Sequence, residues 1–171
     1  MATQIERYEQ YPLWIVLLSN FVSISIYAIG GYIIYQLGFI WLVLYLLYVL
    51  LQEVRLLKGS CTNCYYYGKL CAFGQGRLSA VFFKKGNNPG RFTKEMTWKD
   101  LLPDLLVSLV PILVGIGILI MNFNFLILLL VILLVVLTSA GNGFVRGTLA
   151  CKFCKQRELG CPAEKLFKKG K

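Results

Sequence analysis

The chain has 171 residues, of which 57% are hydrophobic, 14% aromatic and only 15% charged. A soluble domain carries about 25% charged residues, so the charge needed to solvate a globule is missing. The same figures exclude a disordered chain, and the absence of a glycine period excludes collagen. What remains is an integral membrane protein.

No ionised side chain occurs in the 43 residues between Glu9 and Glu53, or in the 41 between Asp104 and Arg146. A helix needs roughly 20 apolar residues to cross the hydrocarbon layer, so each block holds two crossings. Pro12 follows Tyr11 where the first helix can begin. The first block breaks at Tyr35-Gln36-Leu37-Gly38, and the second at Met121-Asn122-Phe123-Asn124. The predicted spans are 12–34, 39–57, 101–120 and 124–140. Pro111, Gly115 and Gly117 in the third span are also compatible with a re-entrant second hairpin. Thr97-Trp98-Lys99-Asp100 has capping-box spacing ahead of Leu101. Trp14 and Trp98 fall at the expected head-group level. No signal-peptide cleavage pattern follows the first apolar run.

All 18 Lys and Arg lie outside the two uncharged blocks: Arg7, nine from Arg55 to Lys99, and eight from Arg146 to Lys171. The two short turns have none. With two crossings per block, the three basic segments share one face, and the positive-inside rule makes that face cytoplasmic. The expected location is a cell membrane, with a multi-pass chain whose termini and cysteine loops are both cytoplasmic.

A repeat is written into the chain. Cys61, Cys64 and Cys71 form C-x2-C-x6-C, and Cys151, Cys154 and Cys161 repeat it 90 positions later. Each triad follows an uncharged hairpin and an arginine (Arg55, Arg146). The expected fold is therefore an all-α polytopic membrane protein of four transmembrane helices. These form two pseudo-symmetric hairpins, each followed by a cytoplasmic cysteine-triad loop. Residues 1–90 make the first repeat (hairpin 12–57, loop 58–90), and 91–171 the second (hairpin 98–140, loop 141–171). Parallel repeats place both triads on one surface, where they can meet.

Two identical spacings point to ligation. In C-x2-C both side chains can turn toward one atom while backbone N–H groups donate to the sulfurs. Disulfides are disfavoured because the cytoplasm is reducing; an inverted orientation would instead suit a thiol oxidoreductase. Three thiolates do not complete a tetrahedral site, and the chain has no histidine. Completion is open in three ways. The triads can pool into a six-cysteine site for two zinc ions. Each can hold three corners of an iron–sulfur cluster. A thiolate can serve as axial ligand to a haem. The half-pattern resembles, in spacing, the half-site of the fungal binuclear zinc-cluster proteins. The resemblance covers the six cysteines alone. Here 79 residues separate the halves, where that family has a short linker, so its DNA-binding role does not carry over.

Cys161-Pro162 and the aromatics Tyr65, Tyr66, Tyr67, Phe73 and Phe153 suit a buried redox centre, although rings also gather at membrane interfaces. Position favours iron, because redox centres at a membrane face exchange electrons with lipid-soluble and cytosolic partners. The expected function is thus a small membrane metalloprotein whose six cysteines hold an iron–sulfur cluster or thiolate-ligated haem for electron transfer. A zinc-ordered binding or scaffold module is the alternative.

Ser19, Asn20, Ser23, Ser25, Gly30-Gly31 and Gly115-x-Gly117 are expected at helix–helix contacts. Asp104 reads as a helix-start dipole partner rather than a transport group. The net charge of +10, including Lys84, Lys85 and Lys165 to Lys171, reads as contact with anionic head groups or an acidic redox partner. A homo-oligomer is also compatible; nucleic acid is not expected, because no recognised nucleic-acid-binding fold accompanies the charge. Leu78, Val81 and Phe82 beside these lysines suit a short interfacial helix. Gly86-Asn87-Asn88-Pro89-Gly90 is a turn-rich link. There are no paired carboxylates, nucleophile elbow or phosphate loop.

Overall fold

The computed structural model describes residues 7–87, 98–159 and 161, with the side chains of residues 98–101 left aside. Thr97 of the capping box, Pro162, Lys165 to Lys171 and Asn88 to Gly90 lie outside the described residues. The elements are α1 (Leu13–Tyr35), α2 (Phe39–Gly59), α3 (Gln75–Phe82), α4 (Trp98–Met121) and α5 (Phe125–Val136). Among the described residues there is no strand, only an isolated parallel bridge between Tyr8 and Cys154. Four stretches are long and apolar enough to cross a membrane: Leu13–Tyr35, Phe39–Asn63, Leu102–Met121 and Phe125–Ala150. They carry large apolar side chains outward, among them Phe21, Leu51, Leu113 and Leu129, a surface that only lipid or another apolar layer solvates well.

The boundaries follow from local chemistry. The Pro12 carbonyl accepts the first α1 bonds, from Ile15 and Val16 N–H. Gly38, at φ 125, joins α1 to α2. Its N–H closes α1 on the Tyr35 carbonyl at 2.9 Å, and its carbonyl opens α2 toward Trp41 at 3.2 Å. Only glycine adopts that φ without strain. The two asparagines that interrupt the second apolar block divide their roles. Asn122 N–H donates to the Ile118 carbonyl at 2.7 Å, and the Asn124 side chain caps α5 by accepting from Leu126 N–H at 2.9 Å.

Two expectations change in detail. The third helix is continuous over 24 residues in spite of Pro103 and Pro111. It begins three residues before the expected start, so Asp104 lies beyond its first turn rather than at its N-terminus. The fourth helix does not stop near residue 140. It continues as π-helical turns Leu137–Gly141 and Val145–Ala150, with a short α turn Asn142–Phe144 between them. Thr138 and Ser139 hydroxyls donate to the Leu134 and Val135 carbonyls at 2.7 and 2.6 Å. Such back-bonding competes with the regular ladder and accompanies its widening. Gly141, Gly143 and Gly147 are absorbed into these turns.

The chain divides into two compact units. One is Asn20–Glu53 with Trp98–Phe144; the other gathers the described residues before Asn20, between Glu53 and Trp98, and after Phe144. Both halves of the sequence contribute to each unit. In the helical unit, Tyr45 is buried and its hydroxyl donates to the Val107 carbonyl at 3.0 Å. Pro111, four residues after Val107, has no N–H to give that carbonyl, so the tyrosine replaces the missing helical bond. Gly30 leaves the space that the Tyr45 hydroxyl and Pro111 occupy, and Gly115 receives a Val131 methyl. Gly117 faces open space, and the Ser19 hydroxyl donates within its own helix to the Ile15 carbonyl at 2.7 Å. Small residues thus work at Gly30 and Gly115 as expected, while Gly117 serves no close approach.

Candidate functional site

The second unit holds all six cysteines, and all six are free thiols of intermediate exposure. The two C-x2-C turns fold alike. Cys64 N–H donates to the Cys61 carbonyl at 3.3 Å, and Cys154 N–H donates to the Cys151 carbonyl at 3.4 Å. The Tyr66 N–H faces the Cys64 sulfur, and the Gln156 and Arg157 N–H groups face that of Cys154. The copies diverge at their flanks. A 3-10 turn covers Cys61–Asn63 in the first copy but Lys155–Arg157 in the second.

The first triad closes on α3. Gly74, at φ 73, starts that helix, and Gly76 N–H donates to the Cys71 sulfur at 3.3 Å. The Cys61 thiol points to Gln75 Oε1 at 3.9 Å. A side chain at residue 76 would collide with the Tyr66 and Lys69 carbonyls, so only glycine brings this N–H so near the sulfur.

The triads meet through the N-terminal segment. Tyr11, Ile15, Val16, Tyr66, Ala72 and Ala150 form one buried core, and Cys64, Cys71 and Cys154 pack against it. Tyr66, 2% exposed, is its centre. Its hydroxyl donates to the Tyr8 carbonyl at 2.7 Å and accepts from Lys155 N–H at 3.0 Å. Tyr65 N–H donates to Gln156 Oε1 at 2.7 Å, Tyr8 N–H donates to the Phe153 carbonyl at 3.2 Å, and the Tyr11 hydroxyl donates to the Ala150 carbonyl. Rings line the seam, with Tyr8 against Phe153 at 5.1 Å, Tyr11 against Tyr66 at 5.5 Å and Tyr65 edge-on to Tyr66 at 5.2 Å. Of the other expected aromatics, Phe73 lies under the Arg146 guanidinium at 5.2 Å, and the Tyr67 hydroxyl donates to the Phe83 carbonyl at 2.7 Å. Tyr8, Tyr11 and Gln156 had no signal in the sequence beyond their polarity, because their partners lie up to 145 positions away.

The thiols sense one another across the seam. Burial pushes Cys64 up to about 11; the Tyr66 N–H opposes this, and the Cys154, Cys71 and Cys161 thiols add to it. Cys151 is raised by burial and by Cys161, against the Arg146 and Arg157 charges. Cys154 is raised by burial, with Cys161 and Cys151 adding and the Gln156 and Arg157 N–H groups opposing. The neutral thiol is therefore favoured at Cys64, Cys151 and Cys154. Among the described residues, no group of three or more Cys, Asp or Glu side chains is arranged to hold a metal ion. Ligation requires the thiols to turn from their present positions and to lose their protons. At the rim, Lys155 bonds Glu9 at 2.6 Å and Arg7 bonds Glu158 at 2.6 Å. The Lys155 hydrogen bond and charge, with that of Lys69, hold the Glu9 carboxyl below its ordinary range.

No family model, curated protein or solved structure matches this chain.

Proposed function

We propose that this is a multi-pass membrane protein with cytoplasmic cysteine loops, and that its two triads supply one thiolate-ligated iron centre for electron transfer. The observation that carries the reading is the packing of Cys64 and Cys71 from one triad and Cys154 from the other against a single buried core. The Cys161 thiol is near enough to raise Cys64, Cys151 and Cys154, which supports counting it with them. Pooling supplies the fourth thiolate that neither triad has alone, as cysteine-ligated clusters require. The N–H groups of Tyr66, Gly76, Gln156 and Arg157 are placed to stabilise thiolate charge, and hydrogen bonds to sulfur are among the levers that set cluster potentials. The basic side chains Arg146 and Arg157 offset the negative charge of an all-thiolate site. The 18-to-0 division of Lys and Arg supports the cytoplasmic orientation.

A zinc-ordered module without redox function is the second reading, favoured by the matched C-x2-C turns, which suit tetrahedral thiolate zinc equally well. Metal analysis and a visible spectrum of anaerobically purified protein separate the two. Iron with absorption in the visible, lost in Cys64→Ser and in Cys154→Ser alike, is expected. Zinc without colour selects the second reading, and a metal-free wild type with unaltered stability in both variants overturns the metal function.

A further inference from the structure

Helix α3 faces the wrong way for a soluble loop. Its inward side is made of Gly76 and Ser79, both buried, and the Ser79 hydroxyl donates to the Leu57 carbonyl at 3.3 Å. Its outward side carries Leu78, Val81 and Phe82, which are 46%, 74% and 68% exposed. Arg77, Lys84 and Lys85 are exposed beside them. A contiguous apolar face with cations at its border is the composition of helices that lie in a membrane interface. The Leu57 contact ties α3 to the last turns of α2, inside the apolar stretch Phe39–Asn63. This places the face within reach of a bilayer that such a stretch would span.

We propose that the outer face of α3 is a docking surface for a bilayer leaflet rich in anionic phospholipid. Leu78, Val81 and Phe82 enter the boundary between head groups and acyl chains, and Arg77, Lys84 and Lys85 contact the phosphates. Charge complementarity selects lipid of that sign, because the basic residues have no acidic residue among their chain neighbours from Gln75 to Asn87. The docking stands independently of any metal at the cysteines. It also has a consequence for them: the same helix holds Gly76 N–H on Cys71 and Gln75 on Cys61, so its outer face and the first triad share one rigid element.

The test uses the full chain in proteoliposomes, with an indole reporter introduced by Phe82→Trp at an exposed position. Its emission is taken as the difference from the parent protein, which retains Trp14, Trp41 and Trp98. Phospholipids brominated near the glycerol backbone should quench the added indole, and more strongly in phosphatidylglycerol than in phosphatidylcholine. Lys84→Gln and Lys85→Gln should each reduce the preference for the anionic surface about five-fold, the effect of one cation near such a surface. Quenching by aqueous iodide but not by brominated lipid would mean that water or a soluble partner covers this face, and would overturn the proposal. Equal quenching in both lipids would overturn its anionic selectivity. Neither readout changes if the cysteines carry no metal.

Discussion

The hydroxyl of Tyr66, in the first cysteine loop, accepts a hydrogen bond from the backbone N–H of Lys155, in the second, at 3.0 Å. The same oxygen donates to the Tyr8 carbonyl at 2.7 Å. One phenol thus ties together three segments that are far apart in the chain, and it does so at a position 2% exposed. Two backbone groups depend on it.

Tyr66→Phe should therefore destabilise the cysteine-bearing unit by about 1–3 kcal/mol, the cost of leaving buried polar groups unpaired. Tyr67→Phe, which removes a half-buried hydroxyl from the Phe83 carbonyl, should cost less. Thermal unfolding in detergent checks the order, and faster amide exchange at Lys155 identifies the cause. Equal effects of the two substitutions would deny Tyr66 its linking role.

The Tyr45 hydroxyl and Pro111 form a testable pair. Tyr45→Phe leaves the Val107 carbonyl without its donor inside an apolar bundle, at a cost of about 1–2 kcal/mol. In a Pro111→Ala background the alanine N–H can reach Val107, so the same tyrosine substitution should cost less than half as much. A double-mutant cycle on unfolding free energies reads the difference, and simple additivity would show that the tyrosine does not compensate the proline.

Alkali should weaken the metal-free protein. Burial raises the Cys64 thiol from 9.0 to about 11, so in that interval the unfolded chain releases a proton that the folded chain keeps. The unfolded state then binds fewer protons, and stability falls as pH rises. The contribution is intact below pH 9 and is lost by about pH 11. It amounts to about 3 kcal/mol at most. Unfolding of chelator-treated protein across this range should show the decline, and Cys64→Ser should make it shallower, leaving the part due to Cys151 and Cys154. The same shift makes Cys64 slow to react with iodoacetamide at neutral pH in the metal-free protein, since the thiolate is the nucleophile.

Orientation is checked by labelling. In a variant with all six cysteines replaced by serine, Asn124→Cys should react with an impermeant maleimide from outside the cell. Asn87→Cys should react only after the cytoplasmic face is opened. The reverse pattern would place the cysteine loops in an oxidising compartment and favour disulfide chemistry there.

The spans were legible because crossing a membrane is a local requirement: the uncharged runs between Glu9 and Glu53 and between Asp104 and Arg146 satisfy it on their own. Their ends near Pro12, Gly38 and Asn124 could be read for the same reason, each being a turn or cap decided by one residue and its neighbours. The equal cysteine spacings and their matching turns were likewise local. The helix beyond residue 140 could not be read so simply, because glycines that break a regular helix are accommodated in the wider turns accompanied by Thr138 and Ser139 back-bonding.

Only the tertiary structure decided which groups meet. The seam of Tyr8, Tyr11, Tyr66 and Gln156 joins the triads through single hydrogen bonds between distant positions, and no periodicity encodes such partners. The direction of α3 was decided the same way. Its pattern marks Leu78, Val81 and Phe82 as one face, but packing determines whether that face turns in or out. Gly76 turns inward because the Tyr66 and Lys69 carbonyls leave no room for a side chain there, and Ser79 turns inward with its hydroxyl on the Leu57 carbonyl.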